Sequence, residues 1–205
     1  MKRKITCLCE NSFSVEFPEE IDLDRDGFYL DEITNGGFMS FTCPTCGKAH
    51  KPEFPLIVSW PLKGIRLETL PEQERGAFYH RKKEKSGQKA ETLIGYPELA
   101  DRLAVIRDGL EPAAVESLKY YLLRKAEESD PGADVTIYYR KLSGGDLEFY
   151  LQGLRPGEVA ISRIPRQVYE KTLENYRKRP RGEPFSSLRY GSYLSVQNML
   201  LPGNP

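Results

Sequence analysis

All four cysteines of this 205-residue chain lie near its start, as Cys7-x-Cys9 and Cys43-Pro-x-Cys46-Gly. Thiols spaced this closely fit three chemistries: a redox dithiol, a metal site or a disulfide pair. In a reducing compartment thiols stay free, so clustered cysteines there point to metal binding or redox catalysis before structural disulfides.

The second pair suits a metal. A Cys-Pro-x-Cys-Gly turn brings both sulfurs to one point, and the N–H groups of Thr45 and Cys46 can aim at the Cys43 thiolate. Pro44 sits where no donor is needed, and Gly47 supplies a conformation that other residues resist. The first pair is expected on a strand, where positions i and i+2 share a face, so that a slight bend brings Cys7 and Cys9 together. Two pairs far apart in sequence, each donating two thiolates, describe a zinc ribbon. Zn²⁺ is then held by Cys7, Cys9, Cys43 and Cys46, and a shell of four sulfurs leaves no position for an activating water. The redox alternative at Cys43 and Cys46 fits less well. In thioredoxin-like proteins that dithiol opens a helix, whereas here "GKAHKPEFP" follows and cannot start a long one. His50, four residues after Cys46, offers an alternative ligand or a hydrogen bond to a thiolate. His80 falls in a charged run and is expected to be solvated.

The elements around the cysteines follow from periodicity. "KRKITCLCENSFSVEF" reads as a hairpin, and "FYLDEITNGG" as a short helix stopped by Gly36 and Gly37. "PLIVSW" and "GIRLETL" read as strands. From Pro71 to Lys89 the apolar pattern fades into charge, which predicts a linker. "LIGYPELADRLAVIRDGL" then gives a helix with Leu99, Leu103, Ile106 and Leu110 at helical spacing. A second helix starts at Pro112 and carries Val115, Leu118, Leu122 and Ala126 on one face. "DVTIYYRKL", "DLEFYLQGL" and "EVAISRI" form an antiparallel meander with turns at Ser143-Gly144-Gly145 and Pro156-Gly157. Pro165 opens a last helix, and residues 193 to 201 read as a docking segment.

Charge limits the function classes. The chain balances 30 basic against 30 acidic residues, so no global field favours a polyanion. Residues 1 to 60 hold six basic and ten acidic side chains, a net of −4 before any thiolate is counted. That makes the cysteine-bearing part a poor binder of nucleic acid. Two basic runs elsewhere, 80–85 and 177–181, keep a nucleic-acid-binding regulator open as an alternative. Tyr138, Tyr139, Phe149 and Tyr150 on the meander could stack bases, although sheet packing explains them more simply. No Gly-rich phosphate loop, nucleophile elbow or His-Glu-x-x-His pattern occurs, which leaves an enzyme with its site in the C-terminal half as a third reading. Met1-Lys2-Arg3-Lys4 is not followed by an apolar h-region, and no apolar run is long enough to span a bilayer. A cytoplasmic protein with no membrane partner is expected.

The pieces "ITCLCENSFSVEF" and "GGFMSFTCPTCGKAHKPEFPLIVSW" carry the cysteine frame. With the Gly-Tyr-x-x-Leu…Glu-x-x-Lys-Tyr helical pair that follows, they resemble the CpXC family, a bacterial and archaeal group named for its Cys-Pro-x-Cys motif. The resemblance covers most of residues 5 to 125, and its cysteine portion is the specific part. It implies a zinc-binding N-terminal part and brings no mechanism with it.

The expected architecture is α+β. A β-rich zinc-ribbon domain spans 1–70, a charged linker or mobile loop 71–89, and an α+β domain 90–205. That last domain holds the helical pair, the meander, a C-terminal helix and a tail. The expected function is a non-enzymatic zinc-binding protein whose zinc is structural. Its α+β part serves protein interaction, with another protein or a second copy of the chain as partner.

Overall fold

The computed structural model describes residues 1–80 and 90–200, and the chain is α+β. It divides into two units. Among the described residues, 1–80 and 90–100 form the first, and 101–200 the second.

The first unit opens with an antiparallel hairpin, β1 (Lys2–Thr6) and β2 (Ser12–Glu16), in which Ile5 faces Phe13. After β3 (Glu20–Asp22) comes the short helix α1 (Phe28–Thr34). It ends as the sequence predicts, with Gly36 at φ 72° beyond it. A second, smaller hairpin pairs β4 (Phe41–Thr42) with β5 (Ala49–His50). Next are β6 (Leu56–Trp60), β7 (Ile65–Leu70), the short helix α2 (Arg75–His80) and β8 (Glu91–Ile94). Strands β8, β7, β6 and β3 lie side by side, parallel except for the β6–β7 pair.

This sheet buries Ile21, Leu56, Val58, Leu67, Leu93 and Ile94, each worth roughly 1.5–3 kcal/mol of transfer free energy. The cysteine-bearing hairpins have an anchor of their own. Val15 in β2 and Phe17 just after it are buried, and Phe17 stacks on Phe54 with ring centroids 4.3 Å apart. The Phe54 backbone exchanges two 3.0 Å hydrogen bonds with the Tyr96 hydroxyl, which fixes the chain leaving β5. Within the stretch expected as a linker, residues 72–80 carry a 3₁₀ turn and α2. Arg75 there pairs with Glu72 and, at 3.0 Å, with Glu98. The rest of that stretch, 81–89, lies outside the described residues, and so does the basic run 80–85 apart from His80.

Helix α3 (Tyr96–Arg107) crosses the division between the units. The second unit continues with α4 (Pro112–Ser129), the strands β9 (Thr136–Ser143), β10 (Asp146–Gln152) and β11 (Val159–Ile164), and α5 (Arg166–Lys178). Helix α4 starts as the sequence predicts, with Pro112 in its first turn and the Glu111 carboxylate accepting the Ala113 N–H. The three strands form the expected antiparallel meander, with β10 in the middle. One face of it, with Ile137, Tyr139, Leu147, Phe149, Leu151 and Ile164, belongs to a single apolar core with Leu118, Leu122 and Tyr169 of the helices. After α5 come the two-residue strands β12 (Arg189–Tyr190) and β13 (Tyr193–Leu194) and a 3₁₀ turn over Val196–Leu200. The expected docking segment, described as far as Leu200, is therefore part of the fold, with Tyr193, Leu194, Val196 and Asn198 buried. Among the described residues no helix is long and apolar enough to cross a membrane.

Candidate metal centre

Cys7 and Cys9 do not lie on a strand. β1 ends at Thr6, and both thiols sit in the turn that leads to β2. The Cys7 N–H donates to the Asn11 carbonyl and the Glu10 N–H to the Cys7 carbonyl, each at 2.9 Å. Strand alternation would align the two thiols along the chain; the reversal instead curls them around one point. The second turn is built alike. The Cys43 N–H donates to Lys48 O and the Gly47 N–H to Cys43 O, again at 2.9 Å. Each turn ends in the left-handed region, at Glu10 (φ 65°) in the first and Gly47 (φ 72°) in the second. The Cys-x-Cys turn is a one-residue-shorter version of the Cys-x-x-Cys turn.

The two turns meet sulfur to sulfur. Cys7 Sγ lies 3.5 Å from Cys46 Sγ and Cys9 Sγ 3.7 Å from Cys43 Sγ. All four sulfurs fall within 4.8 Å of one another and form a group that could hold a metal ion. Tetrahedral ligation at 2.3 Å requires sulfurs about 3.8 Å apart, so little movement separates this arrangement from a closed shell. Cys7 and Cys43 are buried, whereas Cys9 and Cys46 are exposed.

The surroundings favour anionic sulfur. The Cys46 and Thr45 N–H groups pull the Cys43 thiol down to about 6, helped by the neighbouring thiols and opposed by burial. The side-chain amide of Asn11 adds a donor to Cys43 Sγ at 3.8 Å. Cys9 behaves oppositely. The Asn11 backbone N–H lowers its pKa, but contact with the other three thiols and burial outweigh this and push it up to about 12. Without metal, then, a thiolate at Cys43 lies beside a Cys9 thiol that keeps its proton. His50, on β5, places Nε2 3.1 Å from Cys7 Sγ and meets the edge of Phe13. It stands outside the sulfur group as a hydrogen-bond partner, one of the two roles its position allowed. Asn11 escaped the sequence reading. Its signal was its place two residues after Cys9, where a turn can offer both a backbone and an amide N–H.

The other sequence candidates scatter. Tyr139 and Phe149 are buried in the second unit's core, while Tyr138 and Tyr150 face each other across the opposite side of the meander. Arg140 lies over the Tyr150 ring at 4.7 Å. The basic run 177–181 is exposed at the end of α5 and beyond it.

A second polar cluster, unsuspected from the sequence, is buried in the second unit. Lys119 Nζ sits 2.5 Å from Asp101 and 2.8 Å from Glu116, and Arg102 reaches Glu116 at 3.3 Å. Each of these side chains also serves the backbone or a neighbour that does. Asp101 accepts the Tyr139 N–H, Glu116 accepts the Val196 N–H at 2.8 Å, and Arg102 donates to Leu194 O at 2.8 Å. Burial raises Asp101 above the usual carboxylate range. Burial works the same way on Glu116, but Lys119 and Arg102 outweigh it and hold that carboxyl low. For Lys119, burial is outweighed by the two carboxylates, which keep its ammonium charged. Two positive and two negative groups neutralise one another while binding α3 and α4 to β9 and the C-terminal segment.

Comparison with known proteins agrees with the cysteine frame. The sequence model of the CpXC protein family matches residues 5–119. An uncharacterized protein of Treponema pallidum (strain Nichols) is 30% identical over 215 residues, covering 96% of this chain and 97% of that one. No solved structure matches.

Proposed function

The chain belongs to the CpXC family, and from that premise we propose a non-enzymatic protein whose four cysteines bind one structural Zn²⁺ and whose second unit is a protein-interaction module. The observation that carries the first part is the sulfur group, four thiols from two turns within 4.8 Å of one another. Its geometry asks for a tetrahedral ion, and its sulfur donors favour zinc over the hard oxygen-seeking cations. Zn²⁺ would replace the thiol protons and hold the two hairpins together. Four thiolates on Zn²⁺ leave a net charge of −2, and the N–H donors of Asn11, Thr45 and Cys46 spread it into the backbone. With all four positions taken by protein, the ion's role is folding rather than catalysis.

Elemental analysis of purified protein tests the metal: one zinc per chain is expected, lost in Cys43→Ser and retained in His50→Ala. A Cys43→Ser protein with unchanged zinc and unchanged melting would sink the reading. Cross-linking in native lysate tests the module, with cross-links expected from residues 101–200 to another chain. If that unit cross-links to nothing, this part fails by itself.

A further inference from the structure

The two edges of the second unit's meander are made differently. β9, one edge, carries Arg140 and Lys141, and its pairing with β10 is interrupted by a bulge near Glu148. Charges and bulges are the usual means of keeping a sheet edge from pairing with another chain. β11, the other edge, has neither over its first four residues. Val159, Ala160, Ile161 and Ser162 are uncharged, and its register with β10 is unbroken from Val159 to Ile164. Val159 is 50% and Ile161 55% exposed, high values for β-branched residues within a strand.

The rows across the face turned away from the core show what would cover this edge. In one row Tyr138, Tyr150 and Ile161 lie side by side, and in the next Thr136, Gln152 and Val159. Beyond them Arg163 pairs with the buried Glu148 at 3.2 Å, and Glu148 also takes Arg140 at 3.3 Å. That charge is satisfied within the chain and calls for no external anion. Antiparallel pairing of β11 with itself, with Ala160 on the two-fold axis, sets Val159 of each copy opposite Ile161 of the other. The apolar row then runs unbroken from Tyr138, Tyr150 and Ile161 onto the partner's Val159. Ala160, opposite the buried Leu151 and itself exposed, leaves room for the strands to approach.

The geometry points to homodimerisation through β11, which joins two three-stranded meanders into one six-stranded sheet across a two-fold axis. It rests on the reading of the second unit as an interaction module and names its partner as a second copy of this chain. An edge this short makes a reversible dimer, with a Kd on the order of 10 μM.

Sedimentation of the full zinc-loaded chain across concentration tests it. Self-association is expected, weakened at least about tenfold by Ile161→Lys and left unchanged by Leu62→Lys, which alters a still more exposed apolar side chain in the other unit. Circular dichroism checks that both variants stay folded, as substitutions at exposed positions should. Ala160→Cys fixes the register: mild oxidation is expected to give a dimer cross-linked through that position. A wild-type chain that stays monomeric up to about 100 μM overturns the pairing, and so does a dimer indifferent to Ile161→Lys. Either result leaves cross-links from this unit to other proteins untouched, so the module reading stands or falls separately.

Discussion

The sulfur group of the first unit and the charge cluster of the second each gather four polar side chains, and they hold the chain by opposite means. Cys7, Cys9, Cys43 and Cys46 sit in two turns whose own backbone fixes the sulfurs. Asp101, Arg102, Glu116 and Lys119 sit on packed helices and are held by the core around them. The sulfurs repel one another as anions and need a cation from outside, while the charged side chains already sum to zero. On the function proposed above, one site is assembled by an ion and the other by burial. They should fail under different conditions.

Acid separates them most widely. Cys43 is depressed below the ordinary thiol range, so the stability its thiolate brings is complete above that range and is lost as pH falls through about 6. Zinc binding in a four-thiolate shell adds further proton release to the same side of the balance. Glu116 is depressed too, but from a carboxylate's lower starting value, so its contribution is lost only below the usual carboxylate range. Asp101 is raised and has the opposite sign. Its protonation on acidification favours the fold and delays the cluster's collapse. Lowering pH from about 7 to about 5 is therefore expected to release zinc to a chromophoric chelator and speed amide exchange across the cysteine turns. Protection in α4 and β10 should persist. If both units lose protection together, the contrast between ion-held and core-held sites is wrong.

Breaking the charge cluster from within is the next largest effect. Lys119→Met removes the cation shared by Asp101 and Glu116 and leaves two buried carboxylates with Arg102 alone. About 3–5 kcal/mol of destabilisation is expected, read from denaturant unfolding of the second unit, with zinc content unchanged. Replacing all four residues by apolar ones would not restore the loss. The backbone groups of Tyr139, Leu194 and Val196 would then be buried without partners. A cost under about 1 kcal/mol for Lys119→Met would mean that water reaches the cluster and that it is not core-held.

The same contrast explains what could be read from the sequence. Cysteine is rare in this chain and soft in its chemistry, so four of them in two pairs announce a site before any fold is known. Asp101, Arg102, Glu116 and Lys119 are drawn from residue types that make up 29% of the chain, and on a helix they read as a solvated face. Only the packing of α3, α4 and the C-terminal segment reveals that this face is inside. The meander, α4 and α5 were legible because Gly and Pro mark their ends and apolar residues repeat at the right period. β8 was not, since "ETLI" runs straight into the helical pattern of α3 with only Gly95 between them. The cysteine cluster was legible by type but not by shape. The i and i+2 spacing of Cys7 and Cys9 suggested a strand, and nothing in it announces that Glu10 turns left-handed.

That left-handed residue gives the smallest test and the one most specific to the turns. Glu10 and Gly47 occupy equivalent positions, at φ 65° and 72°, yet only Gly47 lacks a Cβ. A Cβ at Gly47 would meet nothing within 4 Å, so Gly47→Ala charges the backbone alone, at about 1–2 kcal/mol. Glu10→Gly should relieve the same strain in the other turn, offset by the roughly 0.5–1 kcal/mol of chain entropy that glycine loses on folding. The zinc-loaded first unit is therefore expected to melt slightly higher with Glu10→Gly, by up to about 1 kcal/mol, and lower with Gly47→Ala. Opposite signs in the two variants would establish that the turns are versions of one device. If both variants destabilise, the Glu10 side chain does something in its turn that Gly47 does without, and the equivalence of the turns does not hold.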